Sequence, residues 1–267
     1  KYTNMRKKTK IDDEKVFNYI DERNKLLFEE IVPRKEEFEI KRDYIVGIPR
    51  AFSIYTLWPL YSWFFHTLGI DIRLSEEVCH EGIARTEGAY CFPAEIAHGA
   101  VQDIINNELD FIFVPHFRDL ESYEDDVHAN FCPITQSLPY YIKKAFPEIP
   151  EEKFLAPIVS FKFGTKKALE GFLAMGKQLG ISEREIEHAF NIGCEKQEEF
   201  FTRYKELGRK ALDKARELDQ PVIAILGRPY NAFTRDANMG IPLKFTSRGF
   251  SVIPFDMLPF ESSEIYD

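Results

Sequence analysis

The sequence predicts an α/β fold made of two doubly wound lobes with parallel sheets, joined by long helices. A strand–helix–strand pattern occupies residues 44–74, where a short apolar run, a Gly-Pro turn, an aromatic helical stretch and a second apolar run follow in order. The same order returns at 222–255, after a long helical pattern from Ser182 to about Leu218. Strands that alternate with crossover helices are typical of doubly wound sheets.

The first predicted domain is an N-terminal helical segment, 1–36. Its stretch "DDEKVFNYIDERNKLLFEEIVP" opens with Asp residues suited to an N-cap and carries apolar residues such as Ile20 and Leu27 at helical spacing. The pattern ends before Pro33, because proline cannot continue a helix. We therefore expect one long amphipathic helix here.

The first α/β lobe is predicted at 37–162. Its opening strand–helix–strand unit is followed by a helix at about 93–107 and by a third strand, Phe111–Val114, whose lack of alternation indicates burial on both faces. A further helix follows Cys132, and we expect Pro139 to bend it. The run "FLAPIVSFKF" then supplies a fourth strand.

The rest of the chain is predicted to form a long helical connection, 163–220, and the start of a second α/β lobe, 221–267. The connection contains two helical patterns, and the second lobe repeats the opening unit of the first. The first residue is Lys1 rather than Met, and the sequence stops soon after a strand-like run. We therefore expect a fragment of a longer polypeptide, with its second lobe incomplete.

Charge and composition limit the partners and the compartment. The formal net charge of −9 argues against duplex nucleic acid and anionic membrane surfaces, which attract clustered Lys and Arg. No apolar run approaches the roughly 20 residues that span a bilayer, and the basic start lacks the apolar stretch of a signal peptide. We expect a cytoplasmic protein, in which four cysteines serve packing, metal binding or catalysis rather than a disulfide framework.

Two cysteines stand at predicted helix starts. Cys91 precedes Phe-Pro and Cys132 precedes Pro, and proline in the first helical turn costs no backbone hydrogen bond. In a doubly wound sheet such positions face the crevice at the carboxyl ends of the strands, where free amides favour a thiolate. Thiolates are the ligands of iron–sulfur clusters. The alternative is that both are buried apolar residues, as free cysteines often are.

Other thiols and imidazoles are weaker metal candidates. Cys79 lies in a charged, helix-like stretch near the predicted crevice, and His116 follows the third strand. His98 lies on the helix after Cys91, and an isolated histidine is more often a core or surface residue than a ligand. Cys194 falls on the long helix, where packing is the favoured role.

Two arginines are candidates for anion binding. Arg50 and Arg228 each follow a predicted strand beside a proline, in "GIPR" and "GRPY", where a guanidinium could hold a phosphate or a carboxylate. Both could equally tie loop carbonyls. The sequence contains no G-x-G-x-x-G and no G-x-x-x-x-G-K-S/T, so we expect no nucleotide site in this chain.

The motifs together resemble a known family. In order, "VGIPRAF", "CFPAEIAHG", "DFIFVP", "NFCPITQSLP" and "LGRPYNAFTRDANMGIP" look like the domain downstream of the ATPase modules in large CoA-substrate-specific enzyme activases. These proteins belong with the 2-hydroxyacyl-CoA dehydratase superfamily and the related iron–sulfur reductases. The resemblance runs from about Ile45 to Phe255 and implies two flavodoxin-like (Rossmann-like) lobes.

The resemblance also implies a cofactor and partners. Cys91 and Cys132 correspond to cysteines that hold an iron–sulfur cluster, of the 4Fe–4S kind, in catalytic relatives, and Cys79 or His116 could complete the site. Some relatives have a third cysteine where this chain has His116, and a lysine where it has Glu95. The expected partners are ATPase modules of the same or another chain, an acyl-CoA dehydratase-like subunit and a second copy of this chain.

The function implied is participation in ATP-driven, low-potential electron transfer. Two alternatives stay open at this point. One is a non-catalytic interaction domain that has lost the cluster. The other is a module that binds a small anion through Arg50 and Arg228.

Overall fold

The computed structural model describes residues 16–34, 41–88, 91–121 and 129–259. The helices are α1 (Tyr19–Lys25), α2 (Ile54–Thr67), α3 (His80–Ala84), α4 (Phe92–Ile105), α5 (Pro133–Ala145), α6 (Thr165–Gln178), α7 (Glu183–Glu217), α8 (Pro229–Ala232) and α9 (Ile241–Thr246). The strands are β1 (Arg42–Ile48), β2 (Ile70–Leu74), β3 (Phe111–Phe113), β4 (His116–Asp119), β5 (Phe154–Leu155), β6 (Ile158–Ser160), β7 (Val222–Ile225) and β8 (Ser251–Pro254).

The chain divides into two compact units. One contains residues 27–200, and the other combines residues up to 26 with those from 201 onward. The boundaries fall inside the predicted N-terminal segment, 1–36, and inside the predicted helical connection, 163–220. The second boundary lies within α7, which continues as one helix through both units.

The unit at 27–200 has a parallel sheet with the strand order β2-β1-β3-β5. This is the start of the flavodoxin-like order, in which the second strand lies on one side of the first and the third strand on the other. Val46 of β1 pairs with Ile72 on one side and with Phe111 on the other. The predicted α/β class with parallel sheets is therefore confirmed.

Proline residues separate successive strands at two points in this unit, one of them within the predicted fourth strand. Pro115 separates β3 from β4, and Pro157 separates β5 from β6, because proline has no N–H to donate to a ladder. Hydrogen bonds continue across the breaks, since the N–H of Val114 donates to Leu155 O at 2.9 Å and that of His116 donates to Pro157 O at 2.9 Å. The parallel pairing of β4 with β6 therefore prolongs the line of β3 and β5.

The core of this unit is aromatic. The ring of Phe172 on α6 packs on Phe64 of α2 at 4.8 Å and on Phe190 of α7 at 4.9 Å between centroids. Phe65 packs edge-on against Phe113 of β3 at 5.2 Å. Each of these five rings is at most 1% exposed. Close packing of the rings therefore fixes the positions of the helices on the sheet.

The other unit contains a two-stranded parallel sheet, in which Ile223 of β7 pairs with Val252 of β8. Both predicted strand–helix–strand units therefore have parallel strands. A second doubly wound lobe stays a prediction, because the described part of this unit contributes two strands to its sheet.

The N-terminal helix is shorter than predicted. The Asn18 side chain accepts a hydrogen bond from the N–H of Ile20 at 3.2 Å, so α1 begins at Tyr19 and is followed by a π-helical turn, Leu26–Glu30. The predicted Asp cap lies outside the described residues. Arg23 of α1 is 1% exposed and lies near Asp256 and over the rings of Tyr204 and Phe233.

None of the helices in the described ranges combines the length and apolar character needed to cross a membrane.

The packing of α6 on β6 predicts an unusual response to a Gly→Ala change. A methyl group at Gly171 would overlap the carbonyl oxygen of Ile158, a backbone atom that cannot turn aside. We expect Gly171→Ala to lower the free energy of unfolding by about 1–3 kcal/mol, although alanine favours helices by about 1 kcal/mol. The matched control is Ala174→Gly on the exposed face of the same helix, expected to cost about 1 kcal/mol through propensity alone. Urea unfolding measures both, and a stabilised Gly171→Ala variant would contradict this packing.

Candidate functional site

The candidate site lies at the carboxyl edge of the β2-β1-β3-β5 sheet. The direction of strand addition reverses between β1 and β3, and in doubly wound sheets ligands bind at this switch point. Helix α2 follows β1, α3 and α4 follow β2, and α5 follows β4. Because the strands are parallel, these helices begin on the side of the sheet where the strands end.

A crevice opens at the switch point. Its walls are the turn after β1, the end of β3 and the first turns of α5, with ten residues in total: Pro49, Ala51, Phe52, Ser53, Ile54, Phe113, Val114, Pro115, Thr135 and Leu138. Phe52 has a φ of 45°, a left-handed conformation that is rare for a bulky residue. The cavity in this crevice has a volume of about 10 Å³, which is room for one water-sized group.

Three of the four cysteines are N-caps of helices. Cys79 precedes α3, Cys91 precedes α4 and Cys132 precedes α5, and none of their side chains makes a capping hydrogen bond. Proline follows in the first turn of α4 and of α5, as the sequence predicts. All four cysteines are free thiols.

Cys132 and His116 lie near the same end of α5. The His116 Nδ1 donates to Gln136 O at 2.8 Å, one turn after Cys132, and its imidazole lies 4.9 Å from the Tyr140 ring. Burial lowers the pKa of His116. The backbone N–H of Phe131 donates to Arg118 O at 2.8 Å, which holds the approach to Cys132 against β4.

Cys79 is not brought to Cys91. The Cys79 sulfur accepts a long hydrogen bond, 4.0 Å, from the Asn106 side chain at the C-terminal end of α4. Cys91 caps the opposite end of that helix, and the Cys79 backbone N–H donates to Gly99 O at 3.2 Å, eight residues after Cys91 or about 12 Å along α4 at 1.5 Å per residue. Burial and then the carboxylates of Asp103, Glu77 and Glu81 raise the pKa of Cys79, which disfavours its thiolate.

The chain that leads into Cys91 lies against the far end of α5 from Cys132. Arg85 donates to Ala145 O at 3.2 Å, and Glu87 pairs with Lys144 at 2.6 Å. Since α5 begins beside Cys132, about 20 Å of helix separate these contacts from that thiol.

Among the described residues the structure does not bring three of these candidate ligands together, and the iron–sulfur cluster stays a prediction. Within residues 16–34, 41–88, 91–121 and 129–259, no group of three or more His, Cys, Asp or Glu side chains is placed to hold a metal ion. Cluster ligation requires several thiolates at one point, and here Cys79 lies apart from Cys91. Cys194 lies on α7, where burial, followed by Glu198 and Glu195, raises the pKa of its thiol to about 12.

The two candidate arginines are held by local contacts. The guanidinium of Arg50 lies 3.7 Å from the Phe28 ring centroid, and its backbone N–H donates to Ser75 Oγ at 2.8 Å. Its buried Nε has no hydrogen-bond partner among the described residues. Arg228, in the other unit, donates to Tyr230 OH at 3.0 Å. Anion binding by either arginine stays a prediction.

Thr135 is the site residue that sequence reasoning missed. It is 1% exposed, lines the crevice, and its Oγ1 has no hydrogen-bond partner among the described residues. The available signal was a hydroxyl residue one turn into a proline-started helix after a strand. A hydroxyl residue in that position is usually expected to be exposed or to cap the helix, so its burial is evident only from the fold.

His98 is a buried titratable group near the site. It is 2% exposed, its Nδ1 donates to Ala94 O at 2.7 Å, and its ring stacks on Phe146 at 6.2 Å. It also lines a cavity of about 110 Å³ together with Arg85, Glu87, Tyr141, Lys144 and Ala145. Burial, the dominant cause, lowers its pKa, so this histidine is held neutral.

The lowered pKa of His98 predicts how stability depends on pH. The unfolded chain, with a histidine pKa near 6.5, binds the proton more tightly than the folded state, so we expect the free energy of unfolding to fall as pH drops below about 6.5. His116 contributes in the same direction.

The variant His98→Gln should flatten the slope of stability against pH between 7.5 and 5.5, by at most about 1.4 kcal/mol per pH unit. Gln102→Met, one turn further along α4, is the control and should leave the slope unchanged, because Gln102 is buried but does not titrate. Urea unfolding at several pH values provides the measurement. An unchanged slope in His98→Gln would show that this imidazole titrates alike in both states.

Comparison with known proteins identifies the family. A family model described as "CoA enzyme activase uncharacterised domain (DUF2229)" matches residues 45–258. No curated protein and no solved structure gave a match. The resemblance inferred from the ordered motifs is therefore confirmed. Since the matched residues make up most of the sequence, the chain belongs to the CoA enzyme activase domain family that this model describes.

Proposed function

We propose that this chain acts within a CoA enzyme activase system, in ATP-driven, low-potential electron transfer to a 2-hydroxyacyl-CoA dehydratase-like partner. The family match over residues 45–258 supports this proposal. ATP hydrolysis would belong to ATPase modules of the same or a partner chain, because this sequence has no phosphate-binding glycine signature. A cytoplasmic location and a homodimer stay predictions.

The geometry best supports an interaction domain, whose role is to bind the other components of the system. The observation that carries this choice is the separation of the thiols. The Cys79 sulfur lies by Asn106, at the end of α4 opposite Cys91. A cluster that includes both Cys79 and Cys91 would need these two thiols to move together, whereas binding of partners does not require this.

A cluster-bearing domain is the second candidate. It is favoured by the position of Cys91 and Cys132 as N-caps whose side chains make no capping bond. Free amides at a helix start favour a thiolate, the form that metals bind. In this version Cys91 and Cys132 would be the ligands, as the family resemblance implies.

Iron and sulfide content after anaerobic reconstitution distinguishes the two candidates. For an interaction domain we expect wild type, Cys91→Ser and Cys194→Ser to hold the same negligible iron, because no three possible ligands converge among the described residues. A brown, oxygen-labile wild type that loses its iron in Cys91→Ser and keeps it in Cys194→Ser would establish the cluster instead. Cys194 is the matched control since its thiol is assigned to packing.

A binding measurement tests the role in the system directly. The chain should bind the ATPase module of its own activase, and Cys91→Ser should bind with an affinity within about twofold of wild type, because an interaction role does not use that thiol. Calorimetric titration gives the dissociation constants. Absence of binding by a correctly folded wild-type chain would contradict the interaction role, whatever the iron content.

A further inference from the structure

The crevice between β1 and β3 has a buried hydroxyl that lacks a partner. Thr135 is 1% exposed and lines the crevice, and no described residue bonds its Oγ1. Burying a hydroxyl without a hydrogen bond destabilises the folded state. Since the crevice has room for one water-sized group, a polar atom placed there would satisfy this hydroxyl.

The free N–H groups at the start of α5 favour a hydrogen-bond acceptor as that polar atom. The helix has 13 residues, its N-cap Cys132 makes no side-chain capping bond, and Pro133 has no N–H. The N–H of Gln136 is already bonded to Cys132 O at 3.1 Å. The N–H groups of Ile134 and Thr135 belong to the first turn, which has no intrahelical acceptors for them, so this helix end attracts negative charge.

The remaining walls favour a small, planar anion with an apolar body. Eight of the ten lining residues are apolar and none of the ten is acidic, so an anion meets no opposing carboxylate. A cavity of about 10 Å³ admits one oxygen of an end group, and a tetrahedral phosphate would leave its three other oxygens against the apolar walls. A carboxylate can insert one oxygen and leave its carbon chain against the apolar wall.

We propose that the β1–β3 crevice binds the carboxylate of a small organic acid, with the Thr135 hydroxyl and the amides of the first turn of α5 as donors. This site is separate from the anion-binding prediction for Arg50, whose guanidinium lies over Phe28. It uses residues of the 27–200 unit alone and does not depend on the proposed activase role.

Thermal unfolding in sodium formate, compared with sodium chloride at equal ionic strength, tests the site. We expect the Tm of wild type to rise saturably with formate, as ligand binding to the folded state requires, and not with chloride. Inorganic phosphate should act like chloride. Thr135→Ser keeps the hydroxyl and should keep the formate response.

The isosteric variant Thr135→Val distinguishes an effect on formate binding from an effect on folding stability. It should unfold about 2–4 °C higher than wild type without formate, because it removes an unsatisfied hydroxyl, and should bind formate roughly tenfold more weakly. Thr86→Val is the matched control. The Thr86 hydroxyl is also buried, has no hydrogen-bond partner within the described ranges and does not line the crevice, so its loss should leave the formate response intact.

Three results would overturn the proposal. Wild type without a saturable response to formate would leave Thr135 with a bound water as its partner. An equal response in Thr135→Val and wild type would place formate elsewhere. Phosphate that stabilises wild type as strongly as formate, and through Thr135, would exclude a site selective for carboxylates.

Discussion

The parallel pairing of β1 with both β2 and β3 is the constraint on which the rest of the 27–200 unit depends. Parallel neighbours cannot be joined by a hairpin, so each connection must cross the sheet and return through a helix. Helices that return in this way all begin where strands end. The order β2-β1-β3-β5 therefore brings the starts of α2 and α5 to one edge before any side chain contributes.

Proline then shapes that edge. Pro115 and Pro157 separate successive strands without breaking the ladder. The N–H groups of Val114 and His116 still donate hydrogen bonds to the neighbouring segment that contains β5 and β6. This carries His116 beyond the end of β3, to the first turns of α5. Pro133 removes one amide from the start of α5, so the free amides concentrate at the next two residues. Proline thus decides which amides are free at the start of α5.

The elements that sequence reasoning predicted are those set by local rules. Periodicity placed α4 and α7 within about two residues, since apolar spacing and glycine or proline stops act within a few residues. The resemblance and the parallel pairing of 44–74 and 222–255 were also predicted. The start of α1 was wrong because Asn18, rather than an earlier Asp, caps the helix. Asn and Asp stabilise a helix start by similar free energies, so a sequence pattern does not show which of them is the N-cap.

Long-range placement could not be predicted in the same way. Cys79 was a candidate ligand because its charged stretch was predicted to lie near the crevice, yet α3 forms between Cys79 and Cys91 and packs along α4, so that the Cys79 thiol lies beside Asn106. Gly82 and Gly99 allow this close approach, since a methyl group on Gly82 would overlap the His98 carbonyl oxygen of α4 and one on Gly99 would overlap the Val78 side chain before α3. Burial of Thr135 likewise depends on β1 and β3 meeting α5 from distant parts of the sequence.

A helix start with a cysteine cap is therefore a weaker sign of a metal site than it is of an anion site. An anion needs one helix end, because the amides of the first turn already converge on a point. A cluster needs thiolates from several elements to converge, and neighbouring helices lie about 8–10 Å apart. Here Arg85 and His98 contact the C-terminal end of α5, so α4 and α5 are offset along their axes as well. Anion binding at α5 requires only that the start of this one helix lie at the crevice, which the sheet topology provides. A cluster would require the starts of α4 and α5 to lie side by side.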